Sequence, residues 1–259
     1  MITLNTIIYE GNYNNFLNKN NWFFNFNSKF ITKKLITVNN LNSKDLFENK
    51  VNELKELFDF EVIYVDDFLT EAKDYFNLNI DPSNTGYYYT IPYFVALYKT
   101  DSEYFFNVAS DCMDDILITD EFFEKSFIEL TENILCNTTM VTWCKNNEIT
   151  KDIYSPHFGI TIADYEESET LRILNKDIPK SENFSIRYNF TDQLFLGKTS
   201  NLKNINYNVD ENISGMWYTG PQYGGNCFER RMVGHHIINN VYNLVYKKND
   251  YFIHDITKK

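Results

Sequence analysis

Three aspartates follow a largely apolar segment at residues 104–115, whose sequence is YFFNVASDCMDD. Asp111, Asp114 and Asp115 come directly after residues that resemble a strand. Aspartate is a poor strand former, and it is costly to bury unless it is paired or bound to a metal. Mg²⁺ and Mn²⁺ favour oxygen ligands, and Mg²⁺ is usually held by one or two carboxylates together with substrate phosphates. The cluster therefore predicts a site for a divalent cation.

Helix capping is the competing explanation for these acids, because Asp114, Asp115 and Asp120 precede the next predicted helix. Aspartate and threonine are favoured at helix N-termini, where their oxygens accept bonds from unpaired backbone N–H groups. Spacing favours this capping role for Thr119 and Asp120. For Asp111, the acid nearest the strand, cation or substrate binding is favoured. For Asp114 and Asp115 both roles remain open.

Strand and helix patterns alternate over the first 120 residues. The strand-like segments are residues 2–9, 33–39, 60–66 and 104–110. Two helical patterns lie between them, one at residues 43–58 with Ser43 as its N-cap, and one at residues 85–100 that is apolar around most of its circumference. This alternation predicts an α/β fold with a mainly parallel central sheet flanked by helices. Ligands of such sheets bind beyond the carboxyl ends of the strands, where Asp111 falls.

The rest of the chain is less regular. Its predicted elements are a helix at residues 119–137, a short strand at 139–144, loop-rich chain from about 145 to 215 with a further short strand within 190–202, a glycine-rich turn and long helix at 220–248, and a last strand or hook at 250–256. No repeat or linker divides the chain, so we expect one domain or two subdomains that share a core.

Composition excludes several classes of protein. The net charge of −12 argues against a nucleic-acid groove, which needs clustered Lys and Arg. No apolar run approaches the ~18 residues of a membrane span, and the N-terminus lacks the pattern of a signal peptide. The four cysteines are scattered without a CxxC pair, which favours reduced thiols. We therefore predict a cytoplasmic protein, with peripheral membrane association left open.

Residues 87–112, YYYTIPYFVALYKTDSEYFFNVASDC, resemble the part of GT-A-type glycosyltransferases in which a helix leads into a strand that ends in Asp-x-Asp. The matching tripeptide is Ala109-Ser110-Asp111, so alanine replaces the first acid. The resemblance implies a GT-A-like, Rossmann-type nucleotide-diphospho-sugar transferase fold. It implies a single domain over residues 1–259, with a nucleotide-sugar-binding half at 1–120 and an acceptor-side half at 121–259.

The resemblance also implies the donor and metal residues. Asp111 would bind Mn²⁺ or Mg²⁺ against the diphosphate, with Asp114 or Asp115 compensating for the missing acid. His254, with Asp255 as its alternate, would be a further metal ligand near the C-terminus. The nucleoside would lie against the ends of two strands, at Tyr9 and Glu10 after the first and at Asp66, with Asp67, after the third.

The acceptor side is expected in the second half. Glu229 at the start of the long helix would be the base that activates an acceptor hydroxyl, although it could equally pair with Arg230 or Arg231. The other predicted acceptor and sugar contacts, some of which could instead be core or turn residues, are Trp143, Asp192, Gln193, Trp217, Gly224 and Gly225.

The resemblance therefore implies a metal-assisted glycosyltransferase that moves a sugar from a nucleoside-diphosphate sugar to a hydroxyl of a glycan, lipid-linked or protein acceptor. The alternative is a non-catalytic nucleotide- or sugar-binding or scaffold protein of the same fold, which Ala109 favours. A nucleotidyltransferase is disfavoured, because no glycine-rich basic loop follows the first strand.

Overall fold

The computed structural model describes residues 1–39, 41–42, 44–80, 86–110, 118–132, 134–138, 141–145, 148–149, 184–187, 190, 194–208, 228, 231–232, 235, 239, 241–246 and 252–255. The strands are β1 (Ile2–Tyr9), β2 (Ile31–Asn39), β3 (Glu61–Tyr64), β4 (Tyr104–Val108), β5 (Ile134–Thr138), β6 (Val141–Lys145), β7 (Glu148–Ile149), β8 (Phe184–Arg187), β9 (Leu194–Lys198), β10 (Tyr242–Tyr246) and β11 (Phe252–Asp255). The helices are α1 (Tyr13–Phe16), α2 (Trp22–Asn25), α3 (Lys44–Lys55), α4 (Val65–Tyr75), α5 (Gly86–Lys99), α6 (Asp120–Glu129) and α7 (Thr199–Lys203).

Eight strands form the main sheet in the order β3-β2-β1-β4-β9-β5-β10-β8. The pairs β3-β2, β2-β1, β1-β4 and β5-β10 are parallel, whereas β9 is antiparallel to both neighbours and β8 is antiparallel to β10. Six of the eight strands therefore share one direction, which confirms the predicted α/β fold with a mainly parallel central sheet. A separate sheet has the order β11-β6-β7.

Helices cover both faces of the sheet because β1 and its neighbours are apolar on both. One face of the sheet buries Ile2, Leu4 and Ile8 of β1 against aromatic side chains from α1, α2, α3 and α6. The other face buries Ile7 against α4 and α5 and against the side chains of Ile205, Tyr207, Phe228 and Met232. Residues 90–97 of α5 are buried throughout, as expected for a helix that lies against the sheet.

A row of three buried polar side chains crosses the centre of the sheet. Thr37 on β2 donates to Asn5 on β1 at 2.8 Å, and the Asn5 amide donates to Asn107 on β4 at 2.8 Å. All three residues are fully buried. We call these residues the polar row. Because buried polar groups are costly without partners, these bonds fix β2, β1 and β4 laterally.

Two helices were predicted to extend into residues at which the structure shows strands. The helix predicted at 119–137 ends at Glu129, and β5 begins at Ile134. The helix predicted at 220–248 gives way to β10, because Val241, Tyr242, Leu244 and Val245 belong to residue types that pack well in sheets. The predicted side-chain cap at Thr119 is absent, and Asp120 instead accepts a bond from the Ser28 hydroxyl at 2.5 Å.

Two strand ends also differ from the prediction and bear on the site. The fourth strand ends at Val108, two residues earlier than expected. The third ends at Tyr64, so Asp66 and Asp67 lie in the first turn of α4 and not on a strand. The helix begins early because apolar residues recur at 65, 68, 69 and 72, and acids in the first turn are favoured by the helix dipole.

Candidate functional site

The order of the strands reverses direction between β1 and β4. The chain runs from β1 outward to β2 and β3, then returns to place β4 on the other side of β1. Where successive connections leave in opposite directions, a crevice opens beyond the carboxyl ends of the two central strands. The described residues at this crevice are Tyr9, which ends β1, residues 10–12, which follow it, and residues 109–110, which follow β4. We call this place the switch-point edge.

Asn12 connects the two sides of the switch-point edge. Its Oδ1 accepts the backbone N–H of Tyr9 at 2.8 Å, and its Nδ2 donates to the Ser110 hydroxyl at 2.6 Å. All three residues are half-buried. One planar amide therefore fixes both the turn that follows β1 and the first residues that follow β4.

Glu10 connects the switch-point edge to the next loop. Its Oε2 accepts the backbone N–H of Asn42 at 2.8 Å, which ties the end of β1 to the segment before α3. A Cβ placed on the neighbouring Gly11 would meet no atom of the described residues within 4 Å. Tyr9 is half-buried and packs against the apolar cluster under α4 and α5. Hydrogen bonds and packing therefore fix the backbone of this edge.

Asp66 lies farther along the same edge of the sheet. It is exposed in the first turn of α4, after β3. At about 4.8 Å per strand, the end of β3 lies roughly 10 Å from β1 and roughly 14 Å from β4. Asp66 and a residue that follows β4 therefore cannot share one cation, although both can line one elongated ligand.

Tyr64 marks the outer end of this edge. Its hydroxyl donates to Glu48 at 3.3 Å, and the Lys44 ammonium lies 4.4 Å from the centre of its ring. Burial, followed by the charge and hydrogen bond of Glu48, raises the pKa of Tyr64 to about 12. The phenol is therefore neutral and anchored to α3 at any physiological pH.

Ala109 is the residue that the resemblance aligns with the first acid of Asp-x-Asp. It is half-buried and packs against the apolar cluster on the face covered by α6. A carboxylate at this position would lose part of its hydration against apolar side chains. The apolar surroundings therefore favour alanine over an acid at this position.

Most of the other predicted site residues lie outside the residues that the structure describes. These are Asp111, Asp114, Asp115, Asp192, Gln193, Trp217, Gly224, Gly225 and Glu229. Trp143 and His254 are described only in their backbones, where they face each other as partners between β6 and β11. The structure thus brings Tyr9, Glu10 and the chain leading to Asp111 to one edge.

Two residues of the described chain were not anticipated in their roles. Asn12 was hidden by the many asparagines around it in NYNNFLNKNN, and its link to Ser110 spans 98 positions of sequence. Arg231 was expected as an alternative partner for Glu229. It is buried and donates to the carbonyls of Tyr207 at 2.7 Å and Asn79 at 2.9 Å. Arg231 is therefore an anchor of the core.

The described residues contain neither a cluster of metal ligands nor a membrane-spanning helix. Among them, no three His, Cys, Asp or Glu side chains are grouped so that they could hold a metal ion. No helix within the described ranges combines the length and apolar character needed to span a bilayer.

Comparison with known proteins gives similarity in backbone only. No protein-family model matches the chain. No curated protein matches it in sequence. TarS 1-349 of S. aureus is similar with a TM-score of 0.45 and 11% identity over 98% of this chain, which spans 60% of that structure. Mouse xyloside xylosyltransferase 1 in its apo form has a TM-score of 0.42 and 10% identity over 99% of this chain and 85% of its own. The galactosyltransferase LgtC, in complex with donor and acceptor sugar analogs, has a TM-score of 0.41 and 10% identity over 91% of this chain and 70% of its own. At these TM-scores and identities, the similarities carry no argument about the activity of this chain.

Proposed function

We propose that the protein is a glycosyltransferase that moves a sugar from a nucleoside-diphosphate sugar to a hydroxyl of a glycan, lipid-linked or protein acceptor. The observation that supports this most is the switch-point edge, where Asn12 joins the end of β1 to Ser110 directly before Asp111. A crevice of this kind suits a ligand that lies across several strand ends, as a nucleotide does.

The donor nucleoside would lie along the edge from β1 toward β3. The half-buried ring of Tyr9 offers a flat apolar surface, and Glu10 fixes the loop beside it through its bond to Asn42. Asp66, about two strand spacings away, suits the far end of the nucleoside. The diphosphate would then lie toward β4.

A divalent cation suits the chemistry of the chain at the β4 side. Asp111, the third residue after β4, offers a carboxylate, and oxygen is the ligand atom that Mn²⁺ and Mg²⁺ prefer. Asp111 would hold the cation, with Asp114 and His254 as proposed further ligands. The bound cation would stabilise the charge that develops on the departing nucleoside diphosphate.

The acceptor would bind on the same edge. β5 ends at Thr138 and β9 begins at Leu194, and both points lie at the edge where β4 ends, because β9 runs antiparallel to β4 and β5. The intervening chain therefore leaves and re-enters the sheet beside the proposed donor site. Glu229 would accept the proton of the attacking hydroxyl. The proposed acceptor contacts are Trp143, Asp192, Gln193, Trp217, Gly224 and Gly225.

The test compares two aspartates that flank the same strand. The test variant is Asp111→Asn, at a residue that follows the carboxyl end of β4. The control is Asp101→Asn, at an exposed residue before the amino end of the same strand. Each protein is incubated with a panel of UDP-, GDP-, ADP-, CDP- and dTDP-sugars and Mn²⁺, and donor hydrolysis and transfer are measured. Because charge stabilisation by a metal is worth several kcal/mol, Asp111→Asn should lower the rate at least about 100-fold, and Asp101→Asn should leave it unchanged. The proposal is wrong if the unaltered protein hydrolyses, transfers and binds no donor.

A binding protein without catalysis is the second candidate, and Ala109 favours it. Ala109 packs against the apolar cluster on the face covered by α6. It offers no carboxylate at the position where the resemblance expects one. Asp111→Ala separates the two candidates. If donor affinity and its dependence on Mn²⁺ are the same with and without this substitution, the binding protein is supported.

A further inference from the structure

Two asparagines occupy the same helical position but use their side chains differently. Asn12 and Asn21 are the N-cap residues of α1 and α2, which have four residues each. The Asn21 side chain accepts the backbone N–H of Phe23 at 3.0 Å, which is the usual capping bond. Asn12 makes no side-chain cap bond. Its side chain therefore does not serve the helix that it precedes.

The Asn12 side chain instead spans two strand ends. It accepts from Tyr9 N–H on one side and donates to the Ser110 hydroxyl on the other, at 2.8 and 2.6 Å. The amide plane is rigid, so the two bonds together fix the distance between the turn after β1 and the turn after β4. Parallel pairing between these strands ends earlier, at Asn5 and Asn107. The Asn12 bond thus extends the β1–β4 connection beyond the backbone ladder.

We propose that Asn12 is a positioning residue of the donor site, which holds Ser110 against the end of β1 and so sets where the chain enters Asp111. This inference rests on the proposed function. Consecutive Cα atoms are about 3.8 Å apart, so the position of Ser110 limits where Asp111 can lie. Metal–oxygen distances tolerate shifts of only about 0.2 Å. Loss of the Asn12 bond should therefore weaken metal-dependent binding of the diphosphate, although Asn12 need not touch the ligand.

The experiment is a double-mutant cycle with a matched capping control. The proteins are the unaltered chain, Asn12→Ala, Ser110→Ala, the double variant, and Asn21→Ala. The probes are UDP, GDP, ADP, CDP and dTDP, each with MnCl₂, and affinity is measured by calorimetry. Hydrogen exchange of the Tyr9 amide is measured without ligand, because Asn12→Ala removes the acceptor of that N–H.

We expect Asn12→Ala and Ser110→Ala each to weaken Mn²⁺-dependent binding of the preferred nucleoside diphosphate about three- to ten-fold, the range for one lost hydrogen bond. The double variant should be no weaker than Asn12→Ala, because Asn12→Ala already removes the bond that Ser110→Ala removes, together with the bond to Tyr9. Asn21→Ala should lower the melting temperature through its lost cap and leave affinity unchanged. The Tyr9 amide should exchange faster in Asn12→Ala and at its normal rate in Ser110→Ala.

Different results would overturn the positioning role of Asn12 and the proposed function on which it rests. If the unaltered protein binds a probe and Asn12→Ala binds it equally well, the positioning role is wrong and the proposed function stands. Multiplying losses in the double variant would also overturn the role, because they would mean that the two side chains act independently. If the unaltered protein binds none of the five probes, the proposed function fails and the inference falls with it.

Discussion

Asn5 is the central member of the polar row, and its replacement by leucine tests what the row contributes. Leucine has a similar size but leaves the Thr37 hydroxyl without its acceptor and removes one donor from Asn107 Oδ1. A buried polar group that loses its partner costs about 1–3 kcal/mol. Two such groups, offset in part by the apolar character of leucine, give an expected loss of about 2–5 kcal/mol. That is a large part of the ~5–15 kcal/mol stability of a typical domain.

Urea unfolding with a second substitution gives the sharpest measurement. Thr37→Val removes the hydroxyl that Asn5→Leu leaves without a partner, so the double variant should lose at least about 1 kcal/mol less than the sum of the single variants. Thr32→Val is the control, since Thr32 lies exposed on the same strand and its hydroxyl makes only a long bond, of 3.4 Å, to the Ile2 carbonyl. This substitution should shift stability by no more than about 0.5 kcal/mol. A loss below about 1 kcal/mol for Asn5→Leu, or strictly additive losses, would refute the reasoning.

Two further predictions concern an anchored cation and an anchored phenol. Arg231→Met should lower the free energy of unfolding by about 2–4 kcal/mol, because the carbonyls of Tyr207 and Asn79 lose charged donors. An unchanged midpoint of urea unfolding would contradict this prediction. The raised pKa of Tyr64, about 12 against the ordinary 10.0, means that the folded protein holds this proton more tightly than the unfolded chain. Its contribution to stability is present below about pH 10 and is lost as the pH rises through about 12. The stability difference between the unaltered protein and Tyr64→Phe should therefore change over this interval, and a constant difference would contradict the cause assigned here.

The first half of the fold could be predicted from the sequence because its signals are local. β1 has the predicted bounds, and β2, β4 and α5 differ from prediction by at most two residues at each end. Alternating elements of this kind also predict which edge carries the ligand. The placement of Tyr9 and Glu10 at that edge follows from the bounds of β1 alone.

Other features depend on pairing between distant segments, which a single sequence does not reveal. Short apolar segments fit a strand or a helix equally well, and residues 134–138 become β5 because they pair with β9 and β10. The bond from Asn12 to Ser110 needs the strand order before it can be inferred at all. Asp66 was misplaced for a local reason, since one strand-like segment ran directly into a helix with no turn residue between them.

The antiparallel strand β9 places both ends of residues 139–193 at one edge of the main sheet, because Thr138 at the end of β5 lies opposite Phe195 near the start of β9. These 55 residues also supply β8 to the main sheet and β6 and β7 to the separate sheet, so the connection as a whole cannot be removed without loss of strand pairs. Lengthening a connection between those strands changes its closure entropy only slowly, by about 0.6 kcal/mol for each doubling. Insertion between those strands could thus diversify what the protein recognises, while β1, β2 and β4 keep their own contacts intact.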